Sequence, residues 1–151
     1  MNKKRVEKQK VRIDALCEKW NAPLFLGMWD LRFVYFDNLK SSYEPDDNFE
    51  CFLKINSGWE YLDATVSVSV SSIEKSSDDE LEELFLHEMV HLYTNEVWDV
   101  VEDCKGLPKD AYKHNERLTT MMAKIILNTQ KLTEERTRKE INDNSIDTSS
   151  T

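Results

Sequence analysis

His87-Glu88-Met89-Val90-His91 is the segment whose residue types and spacing carry chemistry, in a chain with only three histidines. On a helix, positions four apart share one face, with Cβ atoms about 5–6 Å apart. Two imidazoles so placed can converge on one Zn²⁺ at about 2.0–2.1 Å each. Glu88 follows the first histidine directly and is turned too far round the helix to bind the same ion. It is placed to act on a water activated there, which is the division of labour of a metal hydrolase: an ion as Lewis acid and a carboxylate as proton shuttle.

A catalytic zinc site needs a third protein ligand and one open position. The following helix offers Glu116 and His114. Two residues apart on a helix is a rotation of about 200°, so only one of them can face the ion. If Leu118, Met122 and Ile125 face the core, Glu116 lies on a flank with Tyr112, Thr119, Thr120 and Ala123. His114 lies nearer the apolar stripe. Spacing alone leaves both open.

The elements that must position these groups follow from pattern. Residues 3–20 read as a helix with Val6, Ile13, Leu16, Cys17 and Trp20 near one face, stopped by Asn21-Ala22-Pro23. Trp29, Leu31, Phe33 and Tyr35 alternate with Asp30, Arg32 and Val34 and read as a strand. The acidic stretch Asp37 to Asn48 reads as a loop. Phe49, Cys51, Leu53 and Ile55 alternate again, Ser57-Gly58 fits a two-residue hairpin turn, and a return strand starts at Trp59 and ends in Ala64–Val70. The expectation is a three-stranded, mostly antiparallel meander with Ala64–Val70 at its edge. Ser77-Asp78-Asp79-Glu80 is a capping box opening the metal helix, which runs to about Asn95. Gly106 to Asp110 breaks the chain, and a second helix capped by Asp110 runs to about Lys131.

Residues 133–151 lack an apolar period and read as a polar, disordered tail after a single domain of residues 1–132. The formal charge is −9 with 40% hydrophobic residues, which argues against a general nucleic-acid binder. Residues 1–12 carry six basic side chains against Glu7 alone, the pattern of a solvated helix face, with docking of an acidic partner as the alternative. Three cysteines without CxxC spacing argue against a disulfide framework. No apolar run reaches the ~18 residues of a membrane span, and the basic start is followed by no apolar signal segment, so a cytoplasmic protein is expected.

The motif His87–His91, with Glu116 of Asn115-Glu116-Arg117-Leu118-Thr119 placed 25 residues after its second histidine, resembles the gluzincin zinc peptidases. The resemblance covers the two helices closely and the preceding sheet and N-terminal backing helix loosely. The short length is similar to the minimal members, of a kind common in phage and prophage genomes. It implies an α+β, zincin-like domain holding one zinc per chain. By it, His87, His91 and Glu116 would be ligands and Glu88 the general base, acting on a peptide or protein substrate, with no nucleic acid or membrane partner. The family's bracing Asp is Thr120 here and its Ser is Thr119. Tyr93, Tyr112 and His114 are the nearby candidates for the oxyanion donor. The alternative is a structural or regulatory zinc protein of the same fold.

Overall fold

The structure, a computed structural model, describes residues 2–40, 50–58, 60–102 and 111–147. It is a mixed α+β arrangement built on a small sheet. Helix α1 (Lys3–Asn21) opens where the Asn2 side chain accepts the Lys4 amide at 3.0 Å. Strand β1 (Asp30–Phe36) follows a short 3-10 turn (Leu26–Met28). The short strands β2 (Leu39–Lys40) and β3 (Glu50–Cys51) pair antiparallel. Strands β4 (Leu53–Gly58) and β5 (Asp63–Ser69) lead into helices α2 (Val70–Lys75), α3 (Asp78–Glu102) and α4 (Ala111–Asp147).

The three-stranded sheet has the order β1-β5-β4. Its β4–β5 pair is antiparallel, from Leu53 opposite Val68 to Gly58 opposite Asp63. Its β1–β5 pair is parallel, with Phe33 opposite Val66. The sheet is therefore mixed rather than a mostly antiparallel meander, and β5 is its centre rather than its edge. Ala64, Val66 and Val68 form the middle of the buried face, flanked by Leu31 and Phe33 on one side and Leu53 and Ile55 on the other. The period-two pattern of β5 is the same for a central and an edge strand. Which neighbours it takes is settled by packing against the helices.

Ser57 and Gly58 do not form the hairpin turn; both remain in the ladder, opposite Ala64 and Asp63. Gly58 serves a close approach, since a Cβ there would stand 2.5 Å from Oδ1 of Asp63. The chain reverses beyond it and re-enters β5 through Leu62, which has a left-handed φ of 51°. The expected strand from Phe49 to Ile55 is interrupted at Phe52, whose carbonyl accepts the Ser69 amide at 2.9 Å. Part of the expected Asp37–Asn48 loop is the strand β2. Residues 41–49, Trp59 and the Gly106–Asp110 break with its cap lie outside the described residues.

The capping box of α3 is formed as read: the Glu80 amide reaches Ser77 Oγ at 3.2 Å and the Ser77 amide reaches Glu80 Oε2 at 2.9 Å. The helix runs past Asn95 to Glu102, and α4 continues past Lys131 to Asp147, over residues expected as tail. In that extension Thr133 and Thr137 return their hydroxyl protons to carbonyls one turn back, at 2.9 and 3.0 Å. Among the described residues no helix is long and apolar enough to cross a membrane.

The basic start is used partly inside the molecule. Arg5 pairs with Glu74 at 2.7 Å and with Asp37 at 3.6 Å. Arg12 caps the end of α2 at the carbonyls of Ile73 (2.7 Å) and Ser76 (2.9 Å) and pairs with Asp78 at the start of α3. Trp20 and Glu82 lock α1 against α3: buried Trp20 donates its Nε1–H to Glu82 Oε1 at 2.7 Å, and Lys19 Nζ meets the same oxygen at 2.7 Å. Glu82→Ala strands the buried indole N–H, so it is expected to cost about 2 kcal/mol in urea unfolding. A midpoint equal to that of the unaltered chain would show the lock to be idle.

Candidate metal centre

Helices α3 and α4 run side by side in opposite directions. Thr94 meets Thr119, His87 meets Thr120, and Glu83 meets Lys124 as α3 is followed back toward its start. Residues 87 and 91 on α3 and 116 on α4 thereby face one another. The two imidazole rings stand 4.9 Å apart at an interplanar angle of 81°. His87 Nε2 lies 3.2 Å from Glu116 Oε2, and His91 Nε2 lies 3.4 Å from Glu116 Oε1.

These three side chains are the group of metal-ligating residues that the described residues bring together, with candidate ligand atoms all within 4.8 Å of one another. Donors around a tetrahedral zinc, at about 2.0–2.1 Å from it, stand roughly 3.3 Å apart. Each imidazole nitrogen stands near that span from one of the two Glu116 oxygens, and two imidazoles with one carboxylate are a donor set suited to zinc. The residues fit the ion. His114 is exposed and lies outside this group, so the geometry favours Glu116 of the two candidates.

The electrostatics follow from the contacts. Hydrogen bonds from His87 and then His91 hold the Glu116 carboxyl well below the usual carboxylate range, and the Tyr112 hydroxyl adds to the effect. Burial pushes the His87 imidazole down. The Glu116 hydrogen bond and the charges of Glu88 and Glu116 outweigh it, and the net shift is upward. For Glu88 burial is the leading cause and raises its carboxyl, opposed by His91, His87 and the Ile55 amide. That amide donates to Glu88 Oε2 at 3.1 Å and ties the carboxylate to β4.

The rings are held from behind by hydroxyls. Thr120 Oγ1 lies 3.3 Å from His87 Nδ1 and donates to the Glu116 carbonyl at 2.8 Å. A hydroxyl has one proton, and that one goes to the carbonyl. Thr120 therefore accepts from Nδ1–H, so Nε2, which gives its proton to Glu116 here, is the nitrogen available to an ion that displaces that proton. Thr94 Oγ1 lies 3.4 Å from His91 Nδ1. Sequence reasoning did not reach Thr94, the Ile55 clamp or the Tyr112–Glu116 bond. The available signal for Thr94 was its place three residues after a candidate ligand, on the same helix face.

Of the other residues singled out, Tyr93 donates its hydroxyl to the Leu24 carbonyl and packs edge-on to Trp29, away from the cluster. Trp98 packs edge-on against Tyr112 at 6.2 Å. Beside His87 and Thr120 a cavity of about 530 Å³ opens, with Phe52, Leu84 and Ala123 as apolar lining and Lys75, Glu80 and Glu83 among its polar lining. Compared with protein-family models, with curated proteins and with solved structures, the chain matches none of them.

Proposed function

We propose that this chain is a small zinc-dependent metallopeptidase of gluzincin type. The observation that carries the reading is the meeting of His87 Nε2 and His91 Nε2 on the two oxygens of one carboxylate, Glu116. Glu88, one residue from the first ligand, is tied to the outer strand of the sheet. His87, His91 and Glu116 would hold the zinc. When bound, the ion supplies Lewis acidity that lowers the pKa of water toward ~7 and offsets charge developing on a carbonyl oxygen.

The remaining work falls to the chain itself. Glu88 takes a proton on its carboxylate and returns it to the leaving amine; burial raises its carboxyl toward the range in which a group does both. The Ile55 amide keeps one carboxylate oxygen fixed while this happens. Strand β4, and not the central β5, is the sheet edge tied to the cluster through Ile55 and Glu88, so an extended peptide would lie along it. The cavity beside His87 would take one of its side chains against Phe52 and Leu84.

The test is cleavage of an unstructured protein such as casein. Hydrolysis is expected from the zinc-loaded chain, to be lost on treatment with a chelator and regained on adding zinc. One feature favours a second reading, a zinc protein with little peptidase activity: each imidazole is backed by a neutral hydroxyl where the thermolysin branch places a carboxylate behind one of them. That reading stands if the zinc-loaded chain and Glu88→Gln are equally inert over a broad substrate panel.

A further inference from the structure

We infer that Thr94 and Thr119 are positioning residues for His91, a buried hydroxyl relay that fixes which ring nitrogen carries the proton. The inference rests on the metal-site reading above but not on peptidase activity. Thr94 Oγ1 stands 3.4 Å from His91 Nδ1, 3.2 Å from Thr119 Oγ1 and 3.5 Å from the carbonyl oxygen of Val90. All three side chains are removed from water: His91 is 8% exposed, Thr94 7% and Thr119 0%. Buried donors and acceptors must then be satisfied by one another.

The proton count admits a consistent solution. Each hydroxyl has one proton and two lone pairs. Thr119 gives its proton to Thr94 Oγ1, and Thr94 gives its own to the Val90 carbonyl one turn back. One lone pair of Thr94 remains, and it accepts from His91 Nδ1–H. Nε2, facing Glu116 Oε1, is the nitrogen whose proton an ion would displace, while Nδ1 keeps its own. Thr120, the next residue on α4, does the same for His87. Adjacent threonines, turned about 100° from one another on the helix, thus serve different rings.

Zinc affinity, measured by competition with a chelator, reads the relay without any substrate. Thr94→Val keeps the shape and removes the hydroxyl; it is expected to weaken zinc binding by roughly 10–100-fold, the usual cost of losing such a partner. Thr94→Ser should restore it. Thr119→Val should show a smaller loss that disappears in the Thr94→Val background, because both act through one oxygen. Imidazole ¹⁵N spectra of the unaltered, zinc-loaded chain should place the His91 proton on Nδ1 and the ion on Nε2, a readout that needs no variant to fold. Unchanged affinity in Thr94→Val, failure of Thr94→Ser to restore it, or a proton on Nε2 would overturn the relay alone. An unaltered chain that binds no zinc would overturn the relay and the metal reading together.

Discussion

Glu88→Gln is expected to keep one zinc per chain and to lose hydrolysis by roughly 10²–10⁴-fold, the share a positioned general base contributes. The substitution is nearly isosteric. Its amide oxygen can still accept the Ile55 N–H that reaches Oε2 at 3.1 Å, so the local fold is retained. What it removes is the capacity to take and return a proton. Glu88 is not among the three residues whose ligand atoms cluster, which is why metal content should not follow activity. Metal analysis and initial rates on one preparation check both halves. Undiminished cleavage would remove Glu88 from the mechanism, and loss of zinc would mean that the carboxylate is a ligand.

Glu116→Ala is expected to weaken zinc binding more than the 10–100-fold typical of an outer partner, because both imidazoles face the carboxylate that it deletes. His114→Ala should leave zinc content unchanged, since His114 is exposed and lies outside the cluster. The pair of variants separates the two ligand sets that sequence spacing left open. Zinc lost with His114→Ala and kept with Glu116→Ala would exchange their roles. The altered Glu116 chain should still fold, because α4 is anchored on α3 by buried residues such as Ala123, Leu127 and Thr119, which the substitution does not touch.

Much of the candidate site was legible because it is local. The i, i+4 histidines, the Glu between them and the capping box that starts their helix depend on one element's geometry, and α3 has that geometry. Glu116 could be narrowed to one of two residues by helical phase, since two positions on one turn point apart. The hydroxyl behind His87 could be foreseen only through the resemblance, which puts Thr120 where the family has its bracing Asp. The place of Thr94 on the His91 face was legible but its role was not, because that requires Thr119 to arrive from the other helix at 3.2 Å.

The sheet was misjudged for a related reason. Alternation in Ala64–Val70 says that one face is buried, and it says nothing about which strands lie to either side. The parallel partner of β5 is β1, thirty-three residues earlier in register, and a pairing that distant leaves no local trace. Helix α2 is too short for an apolar period, and Arg12 of α1 closes its end from sixty-one and sixty-four residues away.

Residue order thus determined the chemistry on offer and the helix that carries half of it, because backbone periodicity is a property of neighbours along the chain. Folding in three dimensions decided which carboxylate faces the two rings, which hydroxyls stand behind them, and which strand forms the edge beside Glu88. Those are contacts between elements, and burial of the faces shared by α1, α3, α4 and the sheet selects them.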